Sequence, residues 1–228
     1  MEEDEATDGT DTRGWGAGEQ TISTLIRAHL CHPWLRPCPD SSASIRLDDK
    51  YYGEAARFGR QLVTHGWGLV YGGGNRGAMG VLGRAVKEAG GYVVGIIPEF
   101  MKSRELALDA ADELITVSTL RERKQLMEER ADGFVTLPGG IGTLEEFVEV
   151  MTLRYLNLVH KPMILVNQDG FYDDLLRFFE RMTRERFKSP GLHDLFTVAG
   201  TIDEVWQHLQ NPKPFTADAL WRKPEASQ

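Results

Sequence analysis

The feature that most constrains the fold of this chain is a regular alternation of short apolar runs with longer segments of helical periodicity. Such alternation is typical of βαβ units, and it predicts an α/β fold in which helices cover both faces of a parallel sheet. The apolar runs predict strands over 69–71, 92–97, 113–117, 133–137, 163–167 and 196–199. The segments between them predict helices over 48–65, 77–89, 120–130, 143–156, 171–186 and 202–209.

The charge is unevenly distributed along the 228 residues. The net charge is −8, and the first nineteen residues contribute −6 of it, because they hold seven acidic residues and one arginine. We therefore predict a disordered acidic tail over 1–20, a single domain over 21–210 and a loose C-terminal tail over 211–228. A nearly neutral body argues against nucleic-acid binding through a broad basic face, but it allows a small anionic substrate.

The N-terminal part holds no recognisable targeting or metal-binding signal. No apolar run approaches the roughly 20 residues of a membrane span, and the acidic start is unlike a signal peptide, so we predict a soluble cytoplasmic chain without a membrane partner. Cys31 and Cys38 cannot form a disulfide framework, and their spacing with His29 and His32 fits no standard zinc finger. We predict an irregular segment at 32–44, and no metal or cofactor.

A glycine-rich loop follows the predicted strand that ends at Tyr71 and opens the next helix. It spans 72–80 and contains five glycines, more than a tight turn needs. In parallel sheets, ligands bind beyond the carboxyl ends of the strands, where glycine N–H groups and a helix N-terminus favour an anion. We therefore predict that this loop binds phosphate, the alternative being a turn without a ligand.

A second glycine-rich loop, over 138–146, follows the strand that ends at Leu137. Thr143 is a candidate N-cap, and Glu146 three residues later completes the pattern of a capping box. Glu145 points about 100° away from Glu146 around the helix. We expect one of the two glutamates to cap the helix and the other to face the cleft, and the spacing does not decide which.

Basic residues open the helix that follows Val117, in the run Arg121-Glu122-Arg123-Lys124. Cations in a first helical turn oppose the helix dipole, which usually means a solvated face. The alternative is that Arg123 and Lys124 meet an anion held by the two glycine loops, since all three segments follow strands at one edge of the sheet. The planar guanidinium of arginine suits phosphate or a developing negative charge.

These motifs together resemble the LONELY GUY-type phosphoribohydrolases, cytokinin-activating enzymes that are often mislabelled lysine decarboxylases. The resemblance covers about 41–209 and rests on Gly-Gly-Gly-x-x-Gly-x-Met-Gly, then Arg-Lys, then Pro-Gly-Gly-x-Gly-Thr-x-x-Glu. It implies a Rossmann-like, doubly wound homodimer with its site near the interface. It also implies hydrolysis of the N-glycosidic bond of N6-modified adenosine 5′-monophosphates, and in many members of AMP, to the free base and ribose 5-phosphate.

The same resemblance assigns roles to individual residues. Arg123 and Glu146 match the catalytic arginine and glutamate of the family. The substrate contacts that it implies are Gly73, Gly74, Glu105, Lys124, Gly139, Gly140, Ile141, Gly142, Thr143, Leu144, Glu145 and Thr152. The sequence departs from the family at Ser41, which stands where a glycine is usual, and at Leu120-Arg121, where Met-His is usual.

Two other functions remain open at this stage. The same fold could carry or sense a nucleotide or cofactor without turning it over. An NAD(P)-dependent oxidoreductase is also compatible with Gly72-x-Gly74-x-x-Gly77 and with Glu99 after the next strand, but the second glycine loop has no role in it. No lysine lies in a context that suggests the Schiff base of a true lysine decarboxylase.

Overall fold

The computed structural model describes the backbone of residues 20–24 and the chain over 47–102, 107–187 and 190–213. Several predictions therefore lie outside the described residues. They are the tail predicted over 1–20 except Gln20, the tail predicted over 211–228 except 211–213, the cysteine and histidine cluster, Ser41 and Glu105. Within the described residues, no helix is both long enough and apolar enough to cross a bilayer.

The described part of the chain contains seven strands and six α-helices, which alternate except between β3 and β4, where a 3-10 turn at Glu99–Met101 is described. The strands are β1 Gln20–Thr24, β2 Trp67–Tyr71, β3 Val93–Pro98, β4 Glu113–Val117, β5 Gly133–Thr136, β6 Met163–Val166 and β7 Thr197–Ala199. The helices are α1 Asp49–Thr64, α2 Gly77–Glu88, α3 Leu120–Arg130, α4 Ile141–Tyr155, α5 Asp173–Arg184 and α6 Ile202–Gln210.

The strands form one sheet in the order β4-β3-β2-β1-β5-β6-β7, and all six neighbouring pairs are parallel. Ser23 of β1 lies opposite Val70 on one side and Phe134 on the other, so the strand order reverses between β1 and β5. Ligands of doubly wound sheets bind at such a reversal, beyond the carboxyl ends of the strands. The predicted α/β, Rossmann-like fold is confirmed, and its second glycine loop follows a strand at the reversal.

The central strand β1 is the element that the sequence indicated least well. The apolar runs predict no strand before residue 69, and the segment from Thr21 onward fits a short strand or a helix equally well. The structure has a strand at Gln20–Thr24 in the middle of the sheet. Ile22 is the only strongly apolar residue of this strand, so no apolar run identifies it, although threonine and isoleucine favour extended backbone.

Two layers of helices bury the two faces of the sheet. Leu69 and Tyr71 pack with α1, α2 and α6, whereas Val70 between them packs with α3, α4 and α5, as the period of two of a strand requires. Helices α3 and α4 therefore lie on the same face. Arg123 is on α3 and Glu146 is on α4, so the layering brings the two predicted catalytic residues to one side of the sheet.

Candidate functional site

A capping box fixes the start of α3 just before Arg123. The Thr119 hydroxyl accepts a hydrogen bond from the Glu122 backbone N–H at 3.1 Å, and a Glu122 carboxylate oxygen accepts from the Thr119 N–H at the same distance. That oxygen also accepts from the Ser118 N–H at 2.8 Å. The sequence signal for this cap is the Thr-x-x-Glu pattern, a capping box that the sequence analysis did not predict. The cap holds the basic first turn of α3 in place.

The Arg123 guanidinium is buried against the first glycine loop, with only 1% of the residue exposed. A Cβ atom on Gly72 would lie 1.7 Å from Arg123 Nη2, so only glycine allows the guanidinium to lie there. Arg123 Nη1 is 3.9 Å from the Met101 sulfur. Within the described residues, Nε and Nη2 of Arg123 make no hydrogen bond.

Glu146 faces Arg123 from α4, and the residue is 3% exposed. Its Oε1 atom lies 3.9 Å from Arg123 Nη2, which is within ion-pair range but longer than a hydrogen bond. The predicted capping box at Thr143 and Glu146 is wrong. Helix α4 begins at Ile141 with Gly140 as N-cap and no side-chain cap, and Thr143 is buried within the first turn. Because the helix begins two residues before Thr143, Glu146 is not at the N3 position of a cap, and its carboxylate faces Arg123 instead.

The second glycine loop packs its backbone tightly on the first turn of α4. A Cβ atom on Gly139 would lie 2.2 Å from the Thr143 hydroxyl oxygen, so the Gly139–Thr143 contact requires glycine. The Leu144 N–H donates to the Gly140 carbonyl at 3.0 Å and closes the first turn. The loop and the N-terminus of α4 therefore form one rigid unit beyond the end of β5.

Lys124, next to Arg123, has a different environment. Its ammonium group contacts Glu145 and lies 2.6 Å from Glu149 Oε2 on α4. Burial by itself lowers the pKa of Lys124, but the hydrogen bonds to Glu145 and Glu149 outweigh burial and raise the pKa above its ordinary value. The expectation that one of the two glutamates caps α4 is wrong, since neither does. Glu146 is buried and faces Arg123, whereas Glu145 is exposed and contacts Lys124.

A groove of about 510 Å³ runs between α3 and α4, and Glu146 lines it. Its volume is in the range of small-molecule sites, roughly 300–1,000 Å³. The groove has an apolar floor that includes Met127, Phe134 and Leu153, and its rim is charged. A smaller cavity of about 220 Å³ adjoins it near Ile141, and Lys124, Glu145 and Glu146 line both.

The glycines of the first loop have structural duties as well. Gly73 has a φ of +74°, which disfavours other residues, and its carbonyl accepts from the Leu108 N–H at 3.0 Å. Gly74 forms an isolated bridge with Ala107. A Cβ atom on Gly80 would lie 2.1 Å from the Asn75 carbonyl oxygen. Close packing thus accounts for part of the glycine content, and phosphate contact by Gly73 and Gly74 stays a prediction.

The remaining predicted contacts are spread along α4. Gly142 is buried and lines the smaller cavity, Leu144 is half-buried, and Ile141 is 78% exposed. Thr152 is exposed and lies outside the lining of both cavities, and its hydroxyl donates to the Val148 carbonyl of its own helix at 2.7 Å. Its contact with substrate stays a prediction.

Glu149 is a residue of the groove that the sequence analysis missed. It lies one helical turn after Glu145, so an i, i+4 pair of acids facing Lys124 was the available signal.

The alternative of an NAD(P)-dependent oxidoreductase is weakened by the topology, because its glycine motif follows β2, whereas the strand order reverses between β1 and β5.

Comparison with solved structures identifies the same fold. The molybdenum cofactor carrier protein from Chlamydomonas reinhardtii superposes with a TM-score of 0.60 at 21% identity, covering 84% of this chain and 96% of that one. The molybdenum cofactor binding protein from Rippkaea orientalis gives a TM-score of 0.57 at 20% identity, with the same coverage. At these identities the likeness shows the fold alone.

Comparison of sequences identifies the family. Residues 79–209 match the family described as "Possible lysine decarboxylase". The probable cytokinin riboside 5′-monophosphate phosphoribohydrolase LOGL5 of Oryza sativa subsp. japonica is 40% identical over 187 residues, which cover 81% of this chain and 76% of the rice protein. Cytokinin riboside 5′-monophosphate phosphoribohydrolase LOG2 of Arabidopsis thaliana is 39% identical over 190 residues, 82% of this chain and 89% of the plant protein. The motifs at the two glycine loops therefore reflect true relationship, and the chain belongs to the LONELY GUY family of phosphoribohydrolases.

Proposed function

We propose that this chain hydrolyses the N-glycosidic bond of adenosine 5′-monophosphates with a substituent on N6, and releases the free base and ribose 5-phosphate. The relatives named above are phosphoribohydrolases of cytokinin riboside 5′-monophosphates. The observation that carries the proposal is the buried pair of Arg123 and Glu146, held 3.9 Å apart beside the glycine loop at the reversal of strand order. We propose a cytoplasmic location, as the sequence predicts.

The reaction needs a negative group near the anomeric carbon. Hydrolysis adds the oxygen of water to C1′ of the ribose and breaks the C1′–N9 bond, whose electron pair leaves with the purine; the proton released by water ends on the base. The transition state resembles an oxocarbenium ion. Glu146 is the acid that lines the groove from inside, and as a carboxylate it stabilises the cation or orients the attacking water.

Arg123 supplies the positive charge of the site. Its Nε and Nη2 atoms make no hydrogen bond within the described residues, so their hydrogens are available to the phosphate or to the departing purine. The phosphate binds the glycine N–H groups near the start of α4, where the helix dipole favours an anion. Lys124 and Glu145 contact the nucleotide at the rim, and the groove with its apolar floor receives the base.

Product analysis tests the proposal directly. The full chain is incubated with isopentenyladenosine monophosphate and, separately, with AMP, and the products are separated by chromatography. We expect free base and ribose 5-phosphate. Binding of either nucleotide without release of base would favour the carrier alternative, and a thermal shift with NAD but not with AMP would favour the oxidoreductase.

The variant Glu146→Gln tests the role of the carboxylate. We expect its turnover to fall about 10³-fold, within the range for loss of a general acid–base or electrostatic group. The change also leaves Arg123 buried without its counter-charge, at a cost of about 3 kcal/mol in stability, so rates are normalised to the folded fraction from circular dichroism. Glu180→Gln, an exposed change on α5, is the matched control and keeps full turnover.

A homodimer with the site near the interface completes the proposal. Ile141 and Val148 on the outer face of α4, and Leu156 directly after it, are exposed apolar side chains in a row that also includes Thr152. Exposed apolar side chains suit an interface between subunits. Ile141 also lines the smaller cavity, so a partner on this face would lie beside the site. Sedimentation should give a dimer. Val148→Lys should weaken it, and Phe178→Lys, the same type of change on exposed α5, should not.

A further inference from the structure

Tyr172, at the start of α5, reaches across to the second glycine loop. The residue is buried, and its hydroxyl donates a hydrogen bond to the Leu137 carbonyl oxygen at 2.8 Å. Leu137 follows β5 directly and precedes Pro138, Gly139 and Gly140. Proline has no backbone N–H, so this part of the loop has one donor fewer with which to fix itself. The tyrosine therefore supplies an anchor from a distant part of the chain.

The turn between β6 and α5 holds the tyrosine rigidly. The Tyr172 backbone N–H donates to the Asn167 side-chain oxygen at 2.7 Å, and the Asn167 amide donates to Asp173 at 2.8 Å. The Tyr172 ring packs edge-to-face on Phe171, with ring centroids 4.8 Å apart. Because the backbone, the ring and the hydroxyl of Tyr172 are all held in place, the Leu137 carbonyl can move only if its buried hydrogen bond to Tyr172 breaks.

The hydroxyl remains a donor under all ordinary conditions. Burial raises the pKa of Tyr172 well above its usual value, and the backbone amide of Gly139 opposes this shift only partly. The phenol is therefore protonated at neutral pH.

We propose that Tyr172 is a positioning residue that fixes the Leu137 carbonyl and thereby the orientation in which the Gly139 and Gly140 amides receive a phosphate. This inference rests on the proposed function, because it assumes that the loop binds the phosphate of the substrate. Tyr172 does not itself touch the substrate. Its removal should weaken binding of the phosphate-bearing ligand more than it slows the chemical step.

The variant Tyr172→Phe removes the hydroxyl and keeps the ring. We expect it to bind ribose 5-phosphate about tenfold more weakly by calorimetry and to raise KM by a similar factor, with kcat within about threefold of the parent. Hydrogen exchange over 137–144 should become faster. The matched control is Tyr92→Phe, because the Tyr92 hydroxyl donates to Glu113 at 2.9 Å at the starts of β3 and β4, away from the second glycine loop. It should leave the affinity, KM, kcat and the exchange over 137–144 unchanged.

The outcomes separate this inference from the proposed function. If the parent chain binds ribose 5-phosphate but releases no base from nucleotides, the proposed hydrolase is wrong, and the binding comparison still decides the role of Tyr172. Equal affinity of Tyr172→Phe and the parent would overturn the inference. So would equal losses in Tyr172→Phe and Tyr92→Phe, which would indicate general destabilisation, and so would a parent chain that does not bind ribose 5-phosphate.

Discussion

Arg123 and Lys124 are neighbours on α3, and their environments are opposite. The guanidinium of Arg123 is buried and lies 3.9 Å from its counter-charge, Glu146. The ammonium of Lys124 lies at the rim of the groove in close contact with two carboxylates, those of Glu145 and Glu149. Lys124 thus makes the closer ion-pair contacts at the rim, where water screens them, whereas the buried pair of Arg123 and Glu146 is too far apart for a hydrogen bond.

This difference indicates what each pair contributes. A buried ion pair stabilises a fold only if good geometry and further hydrogen bonds compensate for the loss of hydration. The Arg123–Glu146 pair lacks such geometry, because Arg123 Nη2 lies 3.9 Å from Glu146 Oε1, beyond hydrogen-bond distance. The guanidinium nevertheless fits there only because its neighbour, Gly72, has no side chain. The Lys124 cluster has the geometry of an ordinary surface ion pair, whose worth is usually below about 1 kcal/mol. The buried pair therefore has the features of a reactive site, and the rim cluster those of a local tie between α3 and α4.

The strongest test of this comparison moves the guanidinium without changing its charge. In Gly72→Ala, the new Cβ would lie 1.7 Å from Arg123 Nη2 and 2.7 Å from Cζ, so the guanidinium must shift. A displacement of about 1 Å costs about 100-fold in rate, and we expect that loss in kcat/KM for isopentenyladenosine monophosphate. The contacts of Lys124 should be unaffected.

Gly53→Ala is the control for this substitution. Gly53 is in α1, and a Cβ there meets no atom within 4 Å. Alanine should leave activity unchanged and raise the free energy of unfolding by about 0.5–1 kcal/mol, because it is the better helix former. Full activity of Gly72→Ala would show that the observed place of Arg123 is not required, and the contrast with Lys124 would then have no functional meaning.

The sequence predicted the layers of this fold because strands β2 to β6 are apolar runs of the expected length. It did not identify β1, whose residues Gln20–Thr24 are mostly polar and are assigned only by pairing with β2 and β5. Pairing between segments distant in the chain is a tertiary property, and no local pattern reports it. The same limit applies to the start of α4, where packing of Thr143 against Gly139 prevailed over its capping preference.

The site was predictable as a set of residues but not as an arrangement. Arg123, Glu146 and the glycine loops were all named from motifs, and the structure brings Arg123, Glu146 and Gly72 together. Which glutamate faces inward depends on how α4 packs against α3, which spacing alone cannot give. Glu149 and Tyr172 were missed because their contacts come from segments that are adjacent only in space.

Reciprocal conservative changes give an effect of intermediate size. Arg123→Lys keeps the charge but loses the planar fork, and we expect kcat/KM to fall at least about tenfold, the value of a charge-assisted hydrogen bond. Lys124→Arg should lose less, about threefold, since its contacts with Glu145, Glu149 and the nucleotide at the rim of the groove need a cation but no planar fork. Steady-state kinetics of both variants checks this. Equal losses of kcat/KM in the two variants would contradict the distinct roles proposed for Arg123 and Lys124.

The smallest expected effect is the stability contributed by Lys124. We expect Lys124→Met to lower the free energy of unfolding by less than about 1 kcal/mol in urea titrations, because the carboxylates that it contacts are about half exposed.

The pH dependence of that difference decides whether charge is its cause. The pKa of Lys124 is raised in the folded protein above its ordinary value of 10.5, so the ion pairs stabilise the fold fully below pH 10.5 and lose their effect as pH rises through the folded pKa. The gap between the parent and Lys124→Met should therefore be constant from about pH 7 to 9.5 and should shrink above pH 10.5. If the difference in free energy of unfolding persists at high pH, it arises from packing of the apolar part of the lysine side chain. The contacts of Lys124 with Glu145 and Glu149 would then not stabilise α3 against α4 through charge.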